Sequence, residues 1–323
     1  MHMGLQFVLI HGAWHHGGHW DKVIKELERG GHKAYAPTLL GNEPGAQRIN
    51  YSLKERIQHL RDDIVKRNLT DFVLVAHSAG GPYAQELAQL EPERIRQLVF
   101  LSAFVLKDGE SIRMFCLDNR LGIPKHERVD RSPENFLFPS KLPMEWWLKA
   151  FVHTVDLETR KALHATLVSQ GGQAFADCHD LKAFYELKIP VTYIHITNDI
   201  LPGLPGMKSR EGWHPGFSSR LGTNFNFNVV KMDGDHEVML TAPASLARTL
   251  IEASEYQPQT LIKKSEATEY QDPTILKNLE ATEFQPQTIL MKVEACEYQD
   301  PTILKKVEAC ELQPQALLQH IVD

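Results

Sequence analysis

Short apolar runs alternate with amphipathic stretches through the first 254 residues, and that alternation restricts the fold more than any other feature of the chain. QFVLIHG (6–12) is an unbroken apolar run ending at Gly, the pattern of a parallel strand buried on both faces. Trp20, Val23, Ile24 and Leu27 follow at helical spacing and predict an amphipathic helix over 20–29, which Gly30-Gly31 stops. HKAYAP is the next strand. Ser52 and Glu55 form a capping box that opens a helix with the stripe Ile57, Leu60 and Ile64. DFVLVAH (71–77), RQLVFLSAF (96–104), VTYIHIT (191–197) and FNVVKMD (227–233) read as further strands, with GGPYAQELAQL and ASLARTLIEAS as helices. Strands that alternate with helices throughout predict an α/β fold, a mostly parallel sheet flanked by helices.

Two regions break the alternation and divide the chain. Residues 1–105 and 187–254 carry the alternating core. Residues 106–186 are an insertion rich in aromatics, among them Trp146, Trp147, Phe151, Phe175 and Phe184. Placed between two strands, it is expected to form a helical cap over the carboxyl edge of the sheet, where ligands of such sheets bind. Its aromatics either line a pocket or build the cap's own small core. Residues 255–323 repeat a 14-residue unit, as in EYQPQTLIKKSEAT and EYQDPTILKNLEAT, with QPQ and QDP alternating into a 28-residue period. A Pro in every unit would cost a single long helix about 3 kcal/mol each time, so the tail reads as an array of short helical repeats. Its last-helix-like junction TLIEASEYQ suggests growth by duplication, and oligomerisation or protein docking is the role expected of it.

Composition excludes several function classes. The formal net charge is −6 and the basic residues do not gather into a run, which argues against nucleic acid as a partner. No apolar stretch approaches the roughly 18–20 residues of a membrane helix. The four cysteines, Cys116, Cys178, Cys296 and Cys310, lack disulfide or zinc spacing, and the N-terminus has no cleavable signal pattern, so a cytoplasmic location is expected.

The chemistry begins at VLVAHSAGG. Ser78 stands between an apolar strand and a Gly-rich helix start, with small residues where the backbone must turn sharply, as at a nucleophile elbow. Taken alone, Ser78 could be an ordinary helix cap. A nucleophilic serine needs a base and an orienting acid. GDHEVML puts His236 just past one strand, and TNDILP puts Asp199 just past the strand before it. Ser78, Asp199 and His236 thus follow three strand ends in the order of a hydrolase triad. Asp233 and Asp235 lie close to His236 but are too local to reach around the ring, and Asp235 is expected to brace the loop.

HGAWHHGGHW (11–20) holds four histidines, His11, His15, His16 and His19, which raises a metal site as an alternative. Adjacent His15 and His16 point apart, and no HExxH spacing appears, so no metal or other cofactor is expected. His11 is expected to anchor the loop beneath the site, with His16 and His19 solvent-facing or structural.

FVLIHGAWHHGGHW, AHSAGG, AFVLKDGES, TNDILP and GDHEVML together resemble the α/β-hydrolase branch that contains plant methylesterases, hydroxynitrile lyases and bacterial pyrethroid-hydrolase-like carboxylesterases. The resemblance spans roughly residues 5–253, and the tail has no counterpart in it. It implies an α/β-hydrolase fold and an oxyanion hole built by the backbone N–H groups of Ala13 and Ala79. Ala76 replaces the usual first Gly of the elbow. Gly12, Trp14 and His15 from the loop, with Trp146, Trp147 and Phe151 from the insertion, are expected at the substrate. Family lyases place a Thr and a Lys where this chain has Gly12 and Glu237, and Glu237 would repel a leaving cyanide. A serine hydrolase acting through an acyl-enzyme on a small or medium apolar or aromatic ester is therefore expected. A lyase, thioesterase or cyclase with the same triad is the nearest alternative, and a non-catalytic receptor or interaction protein the alternative of another class.

Overall fold

A computed structural model describes residues 4–118, 139–201, 220–221 and 227–254. The repeat array expected over 255–323 lies outside the described residues, as do 119–138 of the insertion. Among the described residues six strands form one sheet: β1 (Gln6–Ile10), β2 (Lys33–Tyr35), β3 (Phe72–His77), β4 (Ile95–Leu101), β5 (Val191–Ile196) and β6 (Phe227–Met232). Their order is β2-β1-β3-β4-β5-β6 and every neighbouring pair is parallel. The chain leaves β1 towards β2 on one side and leaves β3 towards β4 on the other. The reversal opens a crevice at the carboxyl ends of β1 and β3, where Ile10 pairs with Ala76.

Both faces of the sheet are covered, which is why the strands read as unbroken apolar runs. On one face Val8, Ile10, Leu74, Ala76, Leu98 and Phe100 pack with Ile57, Leu60 and Ile64 of α2 (Leu53–Lys66) and Ala84 and Leu87 of α3 (Gly81–Leu90). On the other, Phe7, Leu9, Val73, Val75, Val99 and Leu101 pack with Val23 and Leu27 of α1 (Asp21–Arg29). Leu246 and Leu250 of the final helix, Pro243–Ser254, complete that second face. Each fully buried aliphatic side chain contributes about 1.5–3 kcal/mol of transfer free energy.

Local signals set the element ends. The Ser52–Glu55 capping box forms as expected, with the Glu55 carboxylate accepting the Ser52 N–H at 2.8 Å. The helix expected over 20–29 is entered through a 3-10 turn, Gly17–Trp20. There the imidazoles act as caps: His16 Nδ1 accepts the Gly18 N–H, and His19 Nδ1 accepts the His16 N–H, both at 3.1 Å. His19 is accordingly buried and structural rather than solvent-facing. β4 ends at Leu101, short of the expected 104. Ser102 turns out of the sheet at φ 40°, and the Phe104 N–H then donates to the Ser78 carbonyl at 3.0 Å. The strand gives up its last residues to brace the turn at Ser78.

Between β4 and β5 the described chain forms short helices, including Ile112–Asp118, Met144–Trp146 running into a π turn over Trp147–Phe151, and Leu157–His164. Trp147, Phe151, Phe175 and Phe184 belong to the same apolar cluster as α2 and α3. No helix among the described residues is long and apolar enough to cross a membrane.

Candidate active site

Ser78 follows directly on β3 and opens a 3-10 turn, Ser78–Gly80, that leads into α3. Its φ is 51°, in the left-handed region that a side-chain-bearing residue enters only under constraint. The constraint is close backbone packing. A Cβ at Gly80 would lie 2.6 Å from the His11 carbonyl oxygen, and one at Gly81 would lie 2.0 Å from that of Phe104. Ala76, the exception to the usual elbow glycine, is fully buried in the sheet and fits there. Small residues in AHSAGG are thus required by geometry, and a helix cap alone would not require them.

His236 and Asp199 come together from the loops after β6 and β5. His236 Nδ1 donates to Asp199 Oδ2 at 2.6 Å, with both side chains almost wholly buried. The bond fixes the tautomer: the proton sits on Nδ1, and Nε2, buried and without a hydrogen-bond partner, keeps its lone pair. Burial alone would lower this imidazole's pKa. The charge and hydrogen bond of Asp199, helped by Glu237 and Asp235, outweigh burial and hold it above the ordinary histidine value. Asp199 itself is seated by the Leu201 N–H on Oδ1 at 3.0 Å.

The competing carboxylates have other partners. Asp235 is fully buried and accepts the His153 and Thr154 N–H groups and the Thr154 hydroxyl on Oδ2, with the Glu237 N–H and Thr241 hydroxyl on Oδ1. It braces the histidine loop against the insertion. Asp233 accepts the Thr197 hydroxyl at 2.6 Å.

The loop after β1 lies against both. Leu39 donates its N–H to His11 Nε2 at 2.9 Å, so Nδ1 carries the proton and donates to the Gly12 carbonyl at 2.8 Å. His11 is therefore an anchor, as expected. A Cβ on Gly12 would lie 2.9 Å from the Ser78 Cβ, so the loop approaches the serine as closely as backbone allows. Ala13 and Ala79, both nearly buried, line one small cavity with Gly12, Tyr83 and Phe175. Trp14 adopts φ 61° and packs its ring against Phe151 and Phe175 at 6.0 and 5.7 Å.

His15 is buried, with Nδ1 2.7 Å from the Ala13 carbonyl and Nε2 3.1 Å from the Glu237 carboxylate. Among the aromatics expected at the substrate, Phe151 stands edge-on to the His236 ring at 5.5 Å. Trp147 is wholly buried and spends its indole N–H on the Arg160 carbonyl, while Trp146 packs at the cluster's edge. Trp147 thus belongs to the apolar cluster, with Trp146 partly buried against it.

His77 also meets the histidine loop, although sequence pattern does not single it out. His77 donates Nε2–H to the His236 carbonyl at 2.9 Å, and its ring lies 4.5 Å from that of His236. The residue before the serine thereby ties β3 to the histidine loop. Its one mark in the sequence is a polar side chain at an otherwise apolar strand end.

A sheet reversal, a strained serine turn and a His–Asp pair at successive strand ends define a hydrolase of the α/β class. The profile of the alpha/beta hydrolase family matches residues 7–249, and the chain belongs to that family, in the branch of methylesterases and pyrethroid hydrolases. It is similar to salicylic acid-binding protein 2 of Nicotiana tabacum, 32% identical over 279 residues that cover 78% of this chain and 98% of that protein. It also resembles a carbendazim hydrolyzing esterase of a Nocardioides species, 26% identical over 76% of this chain and 97% of the relative. Among solved structures, an extracellular alpha/beta-hydrolase from a Paenibacillus species superposes with a TM-score of 0.65 at 29% identity, covering 78% of this chain and all of the other.

Proposed function

We propose that this chain is a serine hydrolase of carboxylic esters, acting through an acyl-enzyme on a small or medium ester with an apolar or aromatic part. The observation that carries the reading is the 2.6 Å His236–Asp199 bond, which leaves Nε2 as a base on the edge where Ser78 is held at φ 51°. His236 takes the Ser78 proton as Oγ attacks the ester carbonyl, and Asp199 holds the imidazole and stabilises its cation. The N–H groups of Ala13 and Ala79 receive the oxyanion, each worth on the order of 3 kcal/mol to the transition state. His236 then protonates the departing alkoxide, and water repeats the sequence on the acyl-enzyme. The insertion acts as a cap, with Phe151, Trp14 and Phe175 supplying the apolar wall. The ester-hydrolysing relatives support this substrate class.

Two positions favour hydrolysis over cyanohydrin cleavage. A Thr at Gly12 would collide with the Ser78 Cβ, and Glu237 is a buried carboxyl where the lyases carry a Lys. The test is a panel of p-nitrophenyl and methyl esters, a thioester and mandelonitrile, against the natural chain and Ser78→Ala. Ester turnover should fall by about 10³-fold or more in the variant, with circular dichroism unchanged. Undiminished ester cleavage by Ser78→Ala, or preferential cleavage of mandelonitrile, would overturn the assignment.

A further inference from the structure

The cavity lined by Ala13 and Ala79 is lined also by Asn42, Arg56, Tyr83 and Gln170, four polar side chains for which the ester reading has no use. Arg56 is wholly buried, and all its partners are neutral: Asn42 Oδ1 at 3.2 Å, the Ile49 carbonyl at 2.8 Å and the Tyr51 carbonyl at 3.4 Å. A guanidinium has five N–H groups, so two are left over. Tyr83 is 3% exposed and lies beside Arg56, and its O–H meets no acceptor at hydrogen-bond distance. The nearby acceptors are already engaged. Gln170 Oε1 takes the Trp14 N–H and the Asn42 amide, and Asn42 gives its second N–H to the His15 carbonyl. The cavity therefore presents unmet donors and a positive charge at the place where the acyl group of a bound ester begins. Unmet buried donors are unfavourable, so they mark a position built for an acceptor.

We propose that Arg56 and Tyr83 form an acyl subsite that selects esters whose acyl group carries a hydrogen-bond-accepting oxygen close to the scissile carbonyl. The cavity has free room of about 10 Å³, enough for one oxygen-sized group, which sets a short reach. An ether, a carbonyl or one oxygen of a short carboxylate shares this chemistry. The proposal rests on Ser78 as nucleophile with Ala13 and Ala79 as oxyanion donors.

The test compares p-nitrophenyl butyrate with p-nitrophenyl methoxyacetate, acyl groups of the same length that differ by one CH₂ exchanged for oxygen. The ratio of kcat/KM for the two, taken in the natural chain and again in Tyr83→Phe, cancels their different intrinsic reactivity. Tyr83→Phe keeps the ring and removes only the hydroxyl, and its turnover of the butyrate reports that it is folded. The preference for methoxyacetate should fall about tenfold in the variant, the size of one neutral hydrogen bond to a buried donor. A third arm, the p-nitrophenyl half-ester of malonic acid, separates the sources. A Tyr83-dependent preference for it over methoxyacetate assigns the subsite to a carboxylate, and the reverse order assigns it to a neutral oxygen. An unchanged ratio in Tyr83→Phe, with both esters still cleaved, overturns the subsite. Turnover that survives Ser78→Ala overturns the serine reading instead, and the subsite with it.

Discussion

Four carboxyl groups, Asp199, Asp233, Asp235 and Glu237, compete for influence over one imidazole, and they differ in what they touch. Only Asp199 meets a ring nitrogen of His236, whereas Asp235 holds backbone N–H groups of the insertion. The two should fail differently. In the proposed mechanism His236 is a base in its neutral form, so its raised pKa should place the acid limb of kcat/KM above the ordinary value of about 6.5. Asp199→Asn removes the charge that raises it and leaves burial, which lowers it, so the residual activity should show an acid limb moved to lower pH. Turnover should drop by about 10⁴-fold, because the wrong tautomer is then favoured. An acid limb that stays in place would show that Asp199 is not the orienting acid. Asp235→Asn should instead lower stability, by on the order of 3 kcal/mol for a buried multiply bonded carboxylate, as read from thermal melts. Ser78, Asp199 and His236 were legible in the sequence because each follows a strand whose apolar run is itself legible. His77 and Arg56 were not: their decisive contacts are tertiary, and His77 reaches a carbonyl 159 residues away.

The β1–α1 connection uses its histidines as caps and anchors of the backbone. Burial and the neighbouring imidazoles His15 and His16 push His19 down to about 2, and burial likewise takes His11 down to about 3. His77, buried and next to His236, is held well below its usual value. Each is neutral in the folded chain and protonates near 6.5 when unfolded, so the unfolded state binds more protons as pH falls. Stability is therefore full above about pH 6.5 and falls by about 1.4 kcal/mol per pH unit per histidine below it, down to the folded pKa. His236 runs the other way: its raised pKa contributes stability at low pH that is lost as pH rises through the folded value. The depressed histidines, His16 among them, outweigh the one raised histidine, so the melting temperature should drop steeply between about pH 6 and pH 4. His19→Asn keeps an acceptor for the His16 N–H and removes a titrating ring, so its acid slope should be shallower. Equal slopes in melts of the two proteins would refute the linkage. Sequence spacing placed this loop and the helix after it, but the 3-10 entry depends on imidazole caps that periodicity does not encode.

At the scale of the whole molecule, a parallel sheet covered on both faces follows from the alternation, whereas the strand order does not, because several parallel orders fit the same pattern. Nor does the loss of β4's last residues, because it arises from the contact between Phe104 and Ser78. The repeat tail bears on a different question, namely where the catalytic unit ends. The second face of the sheet is closed by the final helix, whose Leu246, Leu250 and Ala253 are buried. The end of that helix is tied back to β4, as Gln97 donates to the Ala253 carbonyl at 2.8 Å, and Ser254 closes its last turn by donating its hydroxyl to the Leu250 carbonyl at 2.6 Å. A chain ending at Ser254 thus keeps the sheet, both apolar clusters, the His236–Asp199 pair and the Ser78 turn. If the tail is energetically independent of the site, truncation there should leave kcat/KM for p-nitrophenyl butyrate within about twofold of the full chain. If the 28-residue repeats serve assembly, light scattering should give the full chain a larger particle than the truncated one at equal concentration. A truncated protein that is folded by circular dichroism yet inactive would place the tail inside the catalytic unit and refute its origin as a dispensable duplication of the last helix.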